Sequence, residues 1–371
     1  MINSIASRGL DGALSCGIFA LACLLALALG KLQDVDPVNQ SIHRLGYIEG
    51  LRACAALLVL CSHSVAILRF YIDGTYGSLG VLKNMGALGV QIFFSITAYL
   101  FIGKILRGGP VNPLSFMRSR VQRIVPMYTF AVLLAIILYA LNTGAFATAK
   151  EYLNLYLQGF VARPSFMLGG ISAVQVIGTI WTLPFEWQFY VAVPFIAYAL
   201  SSRAMTLMLI VGFFALAVFS VRRAPDVFWI FFIPGALAAF LRMKVPQVNK
   251  TARMVLSGIA VVIVLLAIFT GGVQSYDVKR VIMLAIFISC IALAEPKVLC
   301  AKPLAYLGKI SYSIYLLQLP CIFMSRWILE SSAFFNSPGL PYATVLFFVA
   351  LIFVLSAMTY RFLEAPCMRW S

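Results

Sequence analysis

The chain has 371 residues, of which 62% are hydrophobic and only 11% charged, against roughly 45–50% and about 25% in a soluble domain. At a mean hydropathy of +0.98, no single water-facing surface hides that much apolar side chain; a soluble globular fold is excluded and lipid is the main solvent. The formal charge of +16, from 28 Lys and Arg against 12 Asp and Glu, falls between apolar runs, where it orients a membrane protein; nucleic acid is not an expected partner.

In chain order, an apolar run at about 13–30 comes first. Arg8 before it and Ala26-Leu27-Ala28 near its end have the look of a signal peptide, but cleavage would leave the new N-terminus outside. The orientation derived below needs residues 31–50 in the cytoplasm, so an uncleaved extra helix with its N-terminus outside is the preferred reading. Ten spans of about 20 apolar residues follow, at roughly 51–70, 86–106, 123–142, 178–200, 204–221, 226–242, 253–271, 278–294, 304–329 and 342–363. The expected fold is all-α, a polytopic helical bundle: residues 1–43 form an N-terminal extension with the extra helix, and residues 44–371 a ten-helix membrane domain. No internal repeat or soluble domain interrupts it.

Basic residues in short loops set the orientation. Arg107, Arg118 and Arg120, then Arg242, Lys244, Lys250 and Arg253, then Lys297 and Lys302, and finally Arg369 mark one side. The other side holds Lys83, Lys150, Arg163, Arg222, Arg223, Lys279 and Arg280. The richer set is cytoplasmic, which puts the C-terminus there and the longest loop, 143–177, outside. Eight cysteines (16, 23, 54, 61, 290, 300, 321 and 367) show no CxxC and read as small buried hydrophobes. The only histidines are His43 and His63, so no metal site is expected.

Ionisable groups inside a bilayer are costly and therefore functional candidates. Arg52 and His63 are eleven residues apart, about 1,100° of helix rotation, which is about 20° past three turns and roughly 16 Å along the axis. They share one face, with His63 roughly 18 Å into the membrane. Imidazole is suited to take a hydroxyl proton near neutral pH; the plainer alternative is a histidine that packs against a neighbouring helix. Glu186 lies about 12 Å from the outer surface, a depth at which it could face His63 and orient the imidazole or bind a substrate hydroxyl; Tyr190 is one turn further on the same face. In the stretch FMRSRVQRIVPMY, Arg120 and Arg123 are neighbours at i,i+3. Pro126 suits the first turn of a helix, whose amides would join the two arginines in holding phosphate. Positive loops carry arginines whatever the function, so topology explains them equally well. Tyr312 and Gln318 add polar groups to the ninth span, where such residues commonly knit helices together.

Six motifs, IEGLRACAALLVLCSHS, GVQIFFSITAYL, RSRVQRIVPMY, WTLPFEWQFY, LGKISYSIYLLQLP and TYRFLEAP, resemble the acyltransferase-3 family in order and spacing, over about residues 44–368. Its Arg-x10-His signature is met by Arg52 and His63, and its Arg-x-x-Arg signature by Arg120 and Arg123. The chain departs from the family pattern at Glu49, Ala53, Gln91, Thr97-Ala98 and, most clearly, Gln318, where the family commonly has histidine. The resemblance implies a bacterial inner-membrane O-acyltransferase that takes an acyl group, acetyl with succinyl as second candidate, from cytoplasmic acyl-CoA. The acceptor would be a hydroxyl of an exopolysaccharide, lipopolysaccharide or related glycan. His63 and Glu186 would then be catalytic, Arg52, Arg120 and Arg123 would hold the donor, and Tyr190, Tyr312 and Gln318 would support substrate. Acyl-CoA is a co-substrate and no permanently bound cofactor is implied. The partners are acyl-CoA, the carbohydrate and membrane lipids; the oligomeric state is not legible. The competing reading is a polysaccharide or lipid-linked-sugar flippase or a non-catalytic export partner, which midplane charges and basic loops would suit equally.

Overall fold

The computed structural model describes residues 2–32, 46–73, 80–108, 111–144, 146–161, 167–168, 171–200, 212, 228–270, 276–331 and 340–369. Helices dominate: α1 (Ile2–Leu32), α2 (Gly46–Asp73), α3 (Gly80–Leu106), α4 (Pro113–Thr143), α5 (Ala149–Val161), α6 (Ala173–Ile177) and α7 (Leu183–Ala199). They continue as α8 (Ile233–Lys244), α9 (Lys250–Phe269), α10 (Val278–Ala294), α11 (Lys302–Lys309), α12 (Ser311–Ser331), α13 (Leu340–Thr359) and α14 (Ala365–Arg369). A two-residue antiparallel ladder, β1 (Met167–Leu168) with β2 (Ile171–Ser172), precedes α6.

Six of the described helices are long and apolar enough to cross a bilayer, at Ala13–Gly30, Gly46–Leu68, Gly80–Leu106, Pro113–Thr143, Lys250–Phe269 and Pro341–Met368. The pair α11 and α12, bent by 68°, makes a seventh if taken as one broken span. This differs from the ten spans expected, for a physical reason. A straight crossing takes about 20 residues, whereas α7, α8 and α10 have 17, 12 and 17. The first two of these follow 3₁₀ turns, Gly178–Thr182 and Phe228–Phe232. The expected span at 204–221 lies outside the described residues apart from Gly212. The extra N-terminal helix is present as α1.

The chain divides into two compact units. The first comprises residues 1–89, 122–184 and 298–371. In it α2 packs against α1, α11, α12 and α13, and α12 against α13. Gly50 of α2 lies against the backbone of Leu299, where an added Cβ would come within 2.7 Å of the carbonyl carbon; only a glycine admits that approach. On α1, Ile18, Ala22 and Ala26 are buried at four-residue steps while Leu24 and Leu27 remain exposed, a single seam with lipid-facing residues beside it. Cys61 reaches the carbonyl of Ser15 at 3.8 Å, and Cys16 lies near Cys61 as Cys23 lies near Cys54. A seven-residue step along α1 is thus matched by a seven-residue step back along α2, which is an antiparallel register.

The start of α4 corrects one expectation. Pro113 opens the helix, and the Asn112 side chain accepts from the amides of Leu114 and Ser115 at 3.0 and 3.2 Å. Pro126 is therefore interior, and Arg120 and Arg123 lie beyond the first turn, where the amides are spent on helix bonds rather than free for phosphate. Helix α5 has a reciprocal cap: the Thr148 amide donates to Glu151 at 2.7 Å and the Glu151 amide to the Thr148 hydroxyl at 3.3 Å. The Thr148 amide and hydroxyl, which both donate to the Glu151 carboxylate, hold it below its ordinary range. Tyr128 of α4 donates to the Tyr156 carbonyl at 2.5 Å, joining α4 to α5.

The second unit comprises residues 90–121 and 185–297. Gly235 of α8 presses on the backbone of Ser95 and Tyr99 in α3, and the Ser95 hydroxyl donates to the Phe231 carbonyl at 2.9 Å. On α9, Ala260, Ala267 and Ile268 are buried, whereas Met254, Val255, Val261, Val262, Leu265 and Phe269 are exposed. Two alanines and a single isoleucine inside, with a broad face of large apolar residues outside, are the pattern of a helix whose solvent is lipid. Arg242 holds Glu295 at 2.5 Å, and Glu295 caps α10 in the left-handed conformation, φ 46°.

Candidate active site

Arg52 and His63 stand on one uninterrupted helix, α2. His63 is partly exposed, yet its Nδ1 is buried and lacks a hydrogen-bond partner. The polar neighbour of the ring is Gln318 of α12, itself wholly buried. Gln318 donates from Nε2 to the Tyr315 carbonyl at 3.0 Å, and its Oε1 completes no hydrogen bond. Tyr315 in turn meets the Thr182 hydroxyl at 3.2 Å. Gln318 thus sits at the histidine, where the sequence left open whether it served the site or merely joined helices.

A second polar group in the same unit is built around a residue the sequence analysis passed over. Helix α13 runs into a π-helical turn, Tyr360–Glu364, in which the Ala365 amide donates to the Tyr360 carbonyl. Such turns are common at functional sites because the extra residue re-aims side chains. Here it turns Glu364 fully inward. The Ser313 hydroxyl donates to Glu364 Oε1, and the Thr359 hydroxyl lies 3.0 Å from that of Ser313. Arg123 Nη1 is 3.9 Å from Glu364 Oε2 and 2.9 Å from Met368 Sδ. Arg52 is close enough to act on the same carboxylate and pairs with Glu49 at 3.5 Å. Tyr312 donates to the Ile124 carbonyl at 3.1 Å and ties α12 to α4 beside Arg123. The arrangement is two guanidinium groups and two carboxylates in the first unit, able to receive an anion by exchanging partners. The signal was available: an acid in the apolar stretch TYRFLEAP is costly unless it is used.

In the second unit, Arg120 sits among aromatic rings, 5.0 Å from the centroid of Phe101 and 5.9 Å from those of Phe116 and Tyr190. Rings engage the guanidinium faces, and its Nε donates to the Ser119 hydroxyl at 3.4 Å. Tyr190 is buried and donates to Glu186 at 3.1 Å. The i,i+3 arginines are therefore held by different chemistry, Arg120 by aromatic faces and Arg123 by a carboxylate. Among the described residues no cluster of three or more His, Cys, Asp or Glu side chains forms a metal site.

The acyltransferase domain profile matches residues 45–359, most of the chain. The protein belongs to the acyltransferase-3 family. Glu364 lies just past the matched stretch. Over 344 residues the chain is 27% identical to the protein named membrane-bound transacylase BcsY of Komagataeibacter xylinus, covering 85% of this chain and 81% of that one. It is 22% identical over 377 residues to the O-acetyltransferase OatA of Staphylococcus aureus, covering 86% of this chain and 56% of the other. It is 23% identical over 375 residues to the peptidoglycan O-acetyltransferase OatA of Listeria monocytogenes, covering 86% and 55%. The chain spans a little over half the length of the OatA proteins. No solved structure matches. The molecule is a multi-pass membrane acyltransferase.

Proposed function

We propose that this enzyme transfers an acyl group, acetyl with succinyl as the second candidate, from acyl-CoA in the cytoplasm to a hydroxyl of a bacterial exopolysaccharide, lipopolysaccharide or related glycan in the inner membrane or beyond it. The observation that carries this reading is a partly exposed histidine beside a buried amide, on the same helix as an arginine of the buried ion network. His63 takes the proton of the sugar hydroxyl as that oxygen attacks the thioester carbonyl. The C–S bond breaks, the acyl group ends as an ester, and the thiolate of CoA recovers the proton. An alternative order, acyl transfer to His63 and then to the sugar, balances equally. Arg52, Arg120 and Arg123 are assigned to the acyl-CoA donor, as guanidinium groups suited to its phosphates. Glu186 and Tyr190 are assigned to acceptor hydroxyls. The similarity to O-acetyltransferases, one of them named for peptidoglycan, supports an acyl donor and a carbohydrate acceptor.

The test is mass spectrometry of surface and secreted glycans from a deletion strain carrying either the wild type or His63→Ala. A positioned general base contributes roughly 10²–10⁴-fold, so an ester lost on deletion should return with the wild type and not with His63→Ala; its mass names the acyl group. Full ester content with a well-expressed His63→Ala protein overturns the role of the histidine. Unchanged ester content in all strains, with less exported polymer, supports the transport reading instead.

A further inference from the structure

We propose that Gln318 is a positioning residue: its side-chain carbonyl accepts a hydrogen bond from Nδ1–H of His63, fixes the imidazole as that tautomer, and leaves the lone pair on Nε2 for the acceptor hydroxyl. The proposal deepens the reading of His63 as the base and rests on it for its kinetic consequence alone. Two buried polar atoms in the first unit lack a partner at this point, His63 Nδ1 and Gln318 Oε1, and the two side chains are neighbours. A buried donor and a buried acceptor side by side satisfy one another; left apart, each carries its full desolvation cost.

The orientation of the amide is decided by its other contact. Gln318 Nε2 donates to the Tyr315 carbonyl at 3.0 Å. Turning the amide over would set Oε1 against that carbonyl, two acceptors with no proton between them. Oxygen is therefore the atom left for the imidazole, and an oxygen can only accept. The nitrogen that faces it must carry the proton. Gln318 is itself braced, through its Tyr315 carbonyl contact and through the 3.2 Å pairing of the Tyr315 and Thr182 hydroxyls. Nδ1 is the buried nitrogen of a ring that as a whole is partly exposed, which leaves Nε2 for the substrate side. Because an amide does not titrate, the partner stays an acceptor whatever the charge on the ring, unlike a carboxylate or a second imidazole.

The chain has two histidines, so His43→Gln leaves His63 as the sole imidazole. We would label that protein with ¹⁵N-histidine, reconstitute the full chain in lipid nanodiscs and record ¹⁵N solid-state NMR at a pH where the ring is neutral. The expected spectrum shows a protonated Nδ1 and an unprotonated Nε2. Gln318→Leu should lose that preference, and Gln318→Glu, which keeps an oxygen acceptor, should retain it. With acetyl-CoA and a glycan acceptor, Gln318→Leu should lower kcat by roughly tenfold, the scale of one lost hydrogen bond, with KM for acetyl-CoA within about twofold. An unchanged thermal melt separates this from misfolding. A protonated Nε2 in the parent, or an unaltered tautomer in Gln318→Leu, overturns the proposal. If the tautomer behaves as stated but His63→Ala still acylates, the assignment of Gln318 stands and the reading of His63 as the base falls.

Discussion

Glu364 is the residue with the largest consequence for the donor site we propose. It is wholly buried, and its carboxylate takes the Ser313 hydroxyl and faces Arg123. Removing one member of a buried pair costs about 3–5 kcal/mol because the other charge is left uncompensated; Arg123 keeps some exposure, which favours the lower end. Glu364→Ala should therefore lower the melting temperature of the detergent-solubilised enzyme and raise KM for acyl-CoA more than it lowers kcat. An unchanged KM would remove Glu364 from the donor site. Its place was only half legible. Helical period put Arg52 and His63 on one face from α2 alone, because that geometry is local. The partnership of Arg123 with Glu364 and Met368 spans more than half of the chain, and no periodicity reaches across it. Gln318 was named as support on its polarity alone; that it stands at His63, with its oxygen turned away from Tyr315, came from packing.

Among the elements, α1 and the broken pair α11–α12 behave in ways that run length did not announce. The apolar run at 13–30 marked α1 as a span, but nothing in it named α2 as a neighbour. The cysteines did so once the helices were packed, Cys16 with Cys61 and Cys23 with Cys54. In a protein stripped of its other cysteines, a short bifunctional thiol reagent should join Cys16 to Cys61 and Cys23 to Cys54, but not Cys16 to Cys54. A Cys16–Cys54 product would contradict the antiparallel register. The bend of 68° at Ile310 follows a segment in which Tyr306, Leu307 and Gly308 are buried, so the turn lies inside protein rather than against lipid, as interrupted backbone must. Periodicity read residues 304–329 as one span because both halves are apolar; hydropathy registers composition and is blind to a change of direction.

For the whole molecule, composition alone established a membrane protein, and the direction we propose rests on the basic loops. We expect a C-terminal fluorescent-protein fusion to fold and fluoresce in the cytoplasm, and an alkaline phosphatase fused at the same point to be inactive. The reverse pair of results would invert the topology and place Arg123 on the outer side, away from acyl-CoA. The number of crossings was the weaker deduction. Several short helices, α7, α8 and α10, are apolar enough to have been counted as spans yet shorter than a straight crossing requires. By itself the sequence determined the solvent, the helical class, the shared face of Arg52 and His63 and the family, since each follows from local composition, local period or motif order. Only the tertiary structure decided the partners: Glu364 for Arg123, Gln318 for His63, aromatic rings for Arg120. In lipid both faces of a helix are apolar, so hydropathy does not say which face turns inward. Close packing at small residues and the cost of unpaired buried polar groups make that choice, and both depend on helices far apart in the chain.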